Sequence, residues 1–422
     1  MHIHLVQPGD TLATVASRYR VTPGVLSSCN DLPPAPFLLP GSTLVIPSEL
    51  HVEGTDGYLT YQVQEGDTPR TLAERWQIPL SWLSFCNSWF DSSLRMGEVV
   101  LVPKTTPPAK PALGLMSAAP LPLPGGGTVP LTYRTVPGLR VDAAGLLSLP
   151  ALPEDDAPGK RVLVCTLDGA ANILPDVGKA ILRSESTQTR ILDGLTAHVK
   201  TAGGDGVLFA WQGLRSESEV AYLRFVREAA KRLRPMGLFV GLHLPGGSPL
   251  LKRTSALAEA AALLDHVVFE PVVREPAASS DFYKSPPPPL LGVEDWRRAL
   301  AQAGDVLPAS KLWAVLRPTA VAVRRKRVLL TLSPHEALEN AYSWGASLQR
   351  DASGLVWFRS VCGEGGCSVW MEDLWSLLRK IDALHELGWQ GLALWEAGGY
   401  LPEAWSYLAD TFSVSDAENL KE

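Results

Sequence analysis

The sequence predicts an α/β protein in which two small βααβ modules precede a (β/α)8 barrel that carries a small α+β insertion. Two patterns support this fold class. A repeat occupies roughly the first hundred residues, and apolar strands then alternate with amphipathic helices over about 300 residues. With 422 residues, of which 46% are hydrophobic and 19% charged, the chain is long enough to bury several separate cores.

The charge of the chain argues against a nucleic-acid partner. It has 38 Lys and Arg against 44 Asp and Glu, a net charge of −6, whereas phosphate contacts need a basic surface. The basic run RRKR at 324–327 lies between apolar segments, so we expect a solvated strand or turn there. No apolar run reaches the roughly 18 residues of a membrane span. The start, MHIHLVQPGD, lacks the charged and apolar regions of a secretory signal. We therefore expect neither a membrane span nor an ordinary secretory signal.

The cysteines predict reduced thiols. Five cysteines are sparse and odd in number, which fits a protein made in a reducing compartment. Cys362 and Cys367 bracket GEGG, which is typical of a hairpin loop. A cross-hairpin disulfide fits this spacing, but we expect two free thiols. Two thiols without a nearby His do not form a zinc site, and the sequence indicates no metal and no cofactor.

A repeat defines the first two modules, expected at residues 2–48 and 58–104. VQPGDTLATVASRYRVTPGVLSSCN recurs as VQEGDTPRTLAERWQIPLSWLSFCN. Each copy indicates a strand, a tight Gly-Asp turn, two short helices and a closing strand, STLVIP or EVVLVP. Asp10 and Asp67 are expected to cap the first helix of their copies. Cys29 and Cys86 are expected to be small core residues rather than an inter-repeat disulfide.

The repeat resembles LysM, a small module that binds glycans containing N-acetylglucosamine, such as peptidoglycan and chitin. The shared features are V-Q-x-G-D-T, the apolar-Ala pair of the helix, the later Asn, and the closing L-x-x-G-x-x-L-x-I/V-P. This resemblance implies a sugar groove between the turn after the first strand and the loop before the last. It assigns to the first groove Gly9, Asp10, Thr11, Leu12, Leu38, Leu39 and Pro40, and to the second groove Gly66, Asp67, Thr68, Pro69, Ser93, Leu94 and Arg95.

A Pro/Gly-rich segment, 105–127, separates the repeats from the barrel, which we expect over 128–415. This segment holds the only candidate for a first barrel strand, ALGLM at 112–116, and leaves almost no room for a first helix. If that helix is lost, an apolar patch is left for a partner to cover. The block 331–370 interrupts the alternation with one helix and a hairpin, so it predicts the α+β insertion.

The stretch DGVLFAWQGL, 205–214, indicates a buried strand that ends in a loop at Gln212. A helix follows, with an apolar stripe from Val220 to Leu233. Ser216 and Glu219 predict a capping box at its start. Gln212 therefore lies at the carboxyl end of a strand, which is the face where (β/α)8 barrels place their active sites.

This stretch and SVWMEDLWSLLRKIDALHELGWQGLALWEAGG, 368–399, resemble glycoside hydrolase family 18. The likeness is to the branch of spore-forming bacteria that joins LysM repeats to the barrel and acts on spore-cortex peptidoglycan. It implies a TIM barrel, a site for N-acetylated sugars, and a place in the spore wall without a secretory signal. It also implies peptidoglycan or a chitin-like glycan as the ligand, with spore coat or cortex proteins as further partners.

The catalytic motif of that family is degenerate in this sequence. The family's fourth strand carries D-G-x-x-x-D-x-E, whose Glu is the general acid and whose second Asp orients the substrate's N-acetyl group. Asp205 and Gly206 match the family. The three positions that are polar or acidic in the family after them are occupied here by Leu208, Ala210 and Gln212. On the sixth strand, the family's M-x-Y-D is replaced so that Glu270 and Val272 stand for its Met and Tyr. A primary amide supplies no usable proton, so the motif favours binding without hydrolysis.

Two function classes stay open. The first is a non-catalytic glycan-binding protein, and the second is an N-acetylglucosaminidase or muramidase that uses a displaced acid such as Glu270. For Glu270, we expect an ion pair with Arg274 or Arg317 and not the role of a displaced acid. Helix capping is expected to explain Glu217 and Glu219. The barrel pocket is expected to contain Gln212, Trp211, Glu270 and Trp395, with Trp395 at its floor in the place of the family's Trp.

Overall fold

The computed structural model describes residues 2–19, 21–30, 32, 36–46, 58–76, 78, 80, 83, 87, 94–103, 112–123, 127–149, 159–170, 172–271, 290–317, 319–324, 327–362, 365–395 and 402–415. Two short antiparallel sheets, a closed barrel and an antiparallel insertion account for most of these residues. The LysM-like repeats come first along the chain.

The first repeat is a two-stranded antiparallel sheet with two helices. Strand β1 (His2–Leu5) pairs with β2 (Thr43–Ile46), and helices α1 (Leu12–Arg18) and α2 (Pro23–Cys29) lie between them in the chain. Asn30 joins α2 to the closing strand. Its Nδ2 donates to the carbonyls of Leu26 and Val45, each at 2.8 Å, and its Oδ1 accepts from Val45 N at 2.7 Å.

The described part of the second repeat has the same arrangement. Strand β3 (Tyr58–Gln62) pairs antiparallel with β4 (Val99–Pro103), and helix α3 (Pro69–Arg75) follows the turn after β3. Asn87 repeats the contacts of Asn30, since it donates to the carbonyls of Leu83 and Leu101 and accepts from Leu101 N at 2.6 Å. This shared bond pattern explains why both copies keep an Asn at this point. Cys86 lies outside the described residues.

The first helix of each repeat is capped by its threonine and not by its aspartate. Thr11 Oγ1 accepts from the backbone N–H three residues further on, at 3.1 Å, and Thr68 does the same. Asp10 instead accepts from Gln7 N at 2.8 Å, and Asp67 accepts from the equivalent turn N–H. The expected Asp caps are therefore wrong by one residue, because each carboxylate is already used to close the turn that leads into the helix.

From residue 112 onward, the chain forms a closed eight-stranded parallel barrel. An antiparallel unit is inserted in the chain between the seventh and the eighth barrel strand. The barrel strands run in the order of the sequence, and the first pairs with both the second and the last, which closes the sheet. The strands are β5 (Ala112–Ser117), β6 (Leu121–Pro122), β7 (Thr128–Val129), β8 (Tyr133–Val141), β9 (Leu147–Ser148), β10 (Lys160–Leu167), β11 (Gly206–Phe209), β12 (Phe239–Pro245), β13 (His266–Glu270), β14 (Leu312–Leu316), β15 (Ala320–Arg324), β16 (Arg327–Leu332), β17 (Gln349–Arg350), β18 (Val356–Cys362), β19 (Gly365–Met371), β20 (Gly391–Leu394) and β21 (Ser413–Val414). Of these, β5, β8, β10 to β14 and β20 form the barrel wall.

Helices cover the outside of the barrel except at its first turns. They are α4 (Leu174–Arg183), α5 (Glu185–Thr201), α6 (Glu219–Leu233), α7 (Thr254–Leu263), α8 (Val293–Gly304), α10 (Leu374–Glu386) and α11 (Pro402–Thr411), while α9 (Pro334–Ser343) belongs to the insertion. Among the described residues, the β6–β7 hairpin stands between β5 and β8 where a first helix would lie. The first barrel strand is therefore present in the Pro/Gly-rich segment, without a described helix after it.

The inside of the barrel is filled by side chains. Tyr133, Leu208, Val268 and Trp313 belong to one buried cluster that comes from alternate positions of the strands. Gly206 permits the close approach of β11 and β12, since a Cβ there would lie 2.2 Å from the Phe239 carbonyl oxygen. The interior is thus a packed core.

The insertion follows β14 and is an antiparallel sheet with the strand order β16-β15-β19-β18-β17, on which α9 packs. Its strands begin at Ala320, ahead of the range 331–370 expected from the sequence. Cys367 is disulfide-bonded, so the expectation of a free thiol is wrong for this residue. Composition gives only an average expectation, whereas a bridge depends on local geometry. The side chain of Cys362 lies outside the described residues.

The first repeat packs against the barrel and its insertion. Val45 belongs to the main barrel core, and Leu39 belongs to the core of the insertion together with Leu348. Asp373, which caps α10, accepts a hydrogen bond from Thr43 Oγ1 at 2.6 Å. The first repeat is therefore seated on two faces of the larger domain.

Candidate functional site

A cleft of about 310 Å³ opens at the carboxyl ends of the barrel strands. A second cleft, of about 450 Å³, adjoins it, and the two share four polar residues. The shared residues are Gln212, His243, Glu270 and Arg317; the smaller cleft adds Thr135, Ala210 and Trp395, and the larger adds Trp211, Glu219 and Tyr222. We call this combined surface the barrel mouth.

The strand that should carry the catalytic acid brings no carboxylate to the barrel mouth. Leu208 is completely buried in the barrel interior, while Ala210 lines the smaller cleft and Gln212 is exposed at its edge. Asp205 lies at the opposite end of β11, where it accepts from Arg161 N at 2.7 Å. This strand therefore presents a methyl group and an amide at the two positions where the family resemblance implies acids. Val272 lies outside the described residues.

Glu270 is held in ion pairs at the centre of the barrel mouth. His243 Nε2 lies 2.8 Å from its Oε2, and Arg317 Nη2 lies 3.1 Å from its Oε1. Burial alone would raise the pKa of Glu270, but the hydrogen bond from His243 and the charges of His243 and Arg317 lower it below its ordinary value. Glu270 is therefore an ionised carboxylate at neutral pH, which is the wrong state for a general acid. Arg274, the other expected partner, lies outside the described residues.

Within the described part of the chain, Glu219 Oε2 has no hydrogen-bond partner, and the side chain lines the larger cleft. The expected capping box is wrong, because α6 begins after Ser218, whose backbone is helical and whose side chain makes no cap bond. The Glu219 side chain instead turns inward and is only 2% exposed. Burial raises its pKa, and the charge of Arg253 offsets only part of this shift. Helix capping therefore does not explain this residue.

The two tryptophans expected at the pocket have different roles. Trp395 lines the smaller cleft and is partly buried, with its ring 5.9 Å from that of His243 in an edge contact. Trp211 is buried and stacks on Tyr222 and Phe225, with ring centroids 5.1 Å apart in each case. Trp395 is thus the ring available to a ligand, while Trp211 mainly joins β11 to α6.

Sequence reasoning missed Thr135 and His243. Thr135 lies on β8, is buried, and its Oγ1 has no partner within the described structure although it lines the smaller cleft. His243 lies on β12 and contacts Glu270. His243 is the single polar side chain of an otherwise apolar strand, and this pattern was an available signal. Thr135 gave no such signal, because its strand also contains Arg134 and Arg140.

In the first LysM-like groove, Gly9 takes a φ of +89° in the turn, and Thr11 is exposed. Leu12 and Leu38 belong to the core of the repeat. Leu39 is buried against the insertion, so that part of the groove is closed by the barrel domain.

The Asp10 carboxylate is held by the turn. Its pKa is lowered by the hydrogen bond from Gln7 N and then by the hydrogen bond from His4. Arg18 also pairs with it at 3.2 Å. These contacts fix the orientation of the carboxylate, so its main role is structural.

In the second groove, Gly66 takes the same positive φ, at +86°, and Thr68 is exposed as Thr11 is. Asp67 pairs with Arg75 at 2.8 Å, as Asp10 pairs with Arg18. Leu94 is partly buried against the core of its repeat. Ser93 lies outside the described residues.

Comparison with known proteins agrees with this geometry. Residues 4–47 match the LysM domain family. The chain carries a LysM domain, and the closed eight-stranded barrel follows it. Over 449 aligned residues, it is 25% identical to the cortical fragment-lytic enzyme of Bacillus subtilis (strain 168), covering 98% of this chain and 99% of that protein.

Two solved structures show the same fold. The spore cortex-lytic enzyme SleL of Bacillus megaterium QM B1551 aligns with a TM-score of 0.69 at 22% identity, covering 98% of each chain. A chitinase from Chromobacterium violaceum ATCC 12472 aligns with a TM-score of 0.55 at 16% identity, over 71% of this chain and 97% of that one. The alignment with SleL covers almost the whole chain, so it includes the LysM domain and the barrel. The alignment with the chitinase covers a smaller part of the chain.

No described helix is both long and apolar enough to cross a membrane. No group of three His, Cys, Asp or Glu side chains in the described ranges is arranged to hold a metal ion.

Proposed function

We propose that this protein binds peptidoglycan or a related N-acetylglucosamine glycan of the spore wall and that its barrel does not hydrolyse it. One observation carries the proposal: the barrel mouth presents Gln212 and Ala210 where the acid and the orienting Asp belong. Of the two carboxyl groups described at the barrel mouth, Glu270 is ionised and paired, and Glu219 is buried in the larger cleft. The LysM domain supports a glycan as the ligand. The relatives whose names refer to the spore cortex support the spore wall as the location.

The chemistry of the mouth favours binding over turnover. General acid catalysis contributes about 10²- to 10⁴-fold in rate, and a missing charged group near the reacting atoms costs a comparable factor. The exposed Gln212 amide can still form hydrogen bonds with sugar oxygens. Trp395 offers a ring face to a sugar. Affinity can therefore be retained where hydrolysis is lost.

The test uses the full chain with insoluble peptidoglycan and with a chromogenic N-acetylglucosamine oligomer. We expect retention on peptidoglycan and no release of reducing sugar or chromophore. Absence of retention above that of an unrelated acidic protein would remove the binding part of the proposal. Hydrolysis by the unmodified protein would remove the non-catalytic part.

An active glycosidase with a displaced acid is the second candidate, and the two carboxyl groups of the larger cleft favour it. Glu219 and Glu270 line the same cleft with pKa values shifted in opposite directions. Glycosidases commonly use such a pair, one group as acid and the other as carboxylate. In this scheme Glu219 is the acid, because Glu270 is ionised.

Substitution of these carboxyl groups separates the two candidates. If the protein is a glycosidase, Glu219→Gln should abolish hydrolysis and Glu217→Gln should not. Glu217 is the matched control because it precedes the same helix and its side chain is 57% exposed. Equal activity of Glu219→Gln and the unmodified protein would exclude this acid.

A location in the spore wall and contacts with coat or cortex proteins are further parts of the proposal. They rest on the full-length similarity to a protein named as a cortical fragment-lytic enzyme. Fractionation of spores of the source organism with an antibody against the chain tests the location. Recovery from the vegetative cell fraction alone would contradict it.

A further inference from the structure

Exposed aromatic side chains are concentrated at one place in this protein. Among the side chains whose exposure the structure describes, three aromatic ones are largely exposed: Phe37 at 73%, Trp344 at 59% and Tyr342 at 38%. Phe37 belongs to the LysM domain, whereas the other two lie at the end of α9 in the insertion. Large apolar rings left in water usually mark a binding surface.

The contacts of the neighbouring residues bring these rings to one junction. Leu39 is buried in the same core as Ala341 and Leu348, with Ala346 packed against it. Gly41 touches the Leu348 backbone so closely that a Cβ would lie 2.7 Å from its carbonyl oxygen. The loop before the closing LysM strand therefore lies on the segment that follows α9.

The rings are close to this contact along the chain. Phe37 precedes Leu39 by two residues, and Trp344 precedes Ala346 by two residues. Two residues span at most about 7 Å of backbone. Phe37 and Trp344 therefore each lie within about 7 Å of backbone of this junction, one on the LysM side of the contact and the other on the insertion side.

We propose that Phe37, Tyr342 and Trp344 form an extension of the LysM glycan groove, on which the sugars beyond the groove stack. This inference rests on the proposed glycan binding and adds a composite subsite that the LysM domain does not contain by itself. Continuity carries the assignment, because the loop that holds Phe37 is the loop that borders the LysM groove. Sugar rings present apolar C–H faces that pack on aromatic rings, while their hydroxyl groups stay hydrated.

A second copy of the chain fits this surface less well. An aromatic side chain buries about 150–250 Å², so three partly exposed rings offer a few hundred Å². Each partner of a stable protein complex buries about 800 Å². A glycan chain needs no such area.

The test measures the affinity of the full chain for a trimer and an octamer of N-acetylglucosamine. We expect Trp344→Ala and Phe37→Ala each to weaken octamer binding about 3- to 10-fold, with trimer binding unchanged. Trp344→Phe should retain most of the octamer affinity. Val361→Ala is the control, because Val361 is an equally exposed apolar residue (50%) of the same insertion. Unchanged melting temperatures confirm that the variants fold.

The outcomes distinguish this inference from the function on which it rests. If the unmodified protein binds neither oligomer nor peptidoglycan, the proposed function fails and the inference fails with it. If the unmodified protein binds both and Trp344→Ala leaves the octamer affinity unchanged, only the composite subsite is wrong. A concentration-dependent dimer that Trp344→Ala abolishes would also overturn it, in favour of a second copy.

Discussion

Removing the Asp373 carboxylate should destabilise the protein more than any other single change at the LysM–barrel junction. Asp373 accepts two hydrogen bonds from Arg350, at 3.0 and 2.6 Å, and one from Thr43 at 2.6 Å. It also caps α10 by accepting from Ser376 N at 3.1 Å. One carboxylate thus joins the first repeat, the insertion and a barrel helix.

The expected magnitude follows from these contacts. Removing one partner of a buried ion pair costs about 3–5 kcal/mol, because the other charge is left buried. Loss of a helix cap costs about 1 kcal/mol more. Arg350 is only 18% exposed, so water compensates little of this loss. Asp373→Ala should therefore lower the free energy of unfolding by about 4–6 kcal/mol, or the melting temperature by about 4–7 °C for a chain of this length.

Denaturant unfolding of Asp373→Ala, Arg350→Ala and the double variant measures the coupling. Asp295→Ala is the control, because its pair with Arg298 is exposed on both sides and should be worth less than about 1 kcal/mol. A loss below about 1 kcal/mol for Asp373→Ala, or a coupling near zero, would refute the reasoning.

The pH dependence of Asp373 gives an independent check. Burial alone would raise its pKa, but the hydrogen bonds and charge of Arg350 and the bonds from Thr43 and Ser376 lower it below 3.8. A lowered pKa in the folded state means that the contribution is complete above pH 3.8 and is lost as the pH falls through the lower folded value. In Asp373→Ala, this part of the acid destabilisation should be missing.

Three further predictions concern the repeats, the barrel mouth and the insertion. Asn30→Ala should destabilise the first repeat by about 2–3 kcal/mol, because three backbone groups, the carbonyls of Leu26 and Val45 and the N–H of Val45, lose their partner; hydrogen exchange of β2 measures this, and unchanged protection would contradict it. Gln212→Glu alone should give no hydrolysis of a chromogenic N-acetylglucosamine oligomer, whereas the triple change that adds Ala210→Asp and Val272→Tyr is the smallest reversion expected to show turnover; activity of the single variant would be the contrary result. Cys367→Ser should lower the melting temperature by less than about 10 °C, since a bridge within so short a hairpin loop would remove little chain entropy; a larger drop would identify the disulfide as a main support of the insertion.

The sequence predicted the larger features because each depends on residues close together in the chain. The alternation of strands and helices gave the barrel, and the matched turns gave the first LysM domain. The errors are local choices between neighbouring residues. Asp10 and Thr11 are both good helix caps, and only the turn geometry decides between them. Glu219 fits a capping motif, but the helix starts at Glu219 itself, directly after Ser218. The Glu219 carboxylate is therefore not used as a cap and is free to turn inward.

The sequence by itself determined that the expected acid is an amide, because identity at position 212 needs no coordinates. It also determined the order of the elements. The tertiary structure decided which carboxyl groups reach the barrel mouth and in what state, since His243 and Arg317 come to Glu270 from other strands or loops. It also decided that the LysM domain is seated on the insertion. These features are contacts between residues far apart in the chain, and no local pattern encodes them.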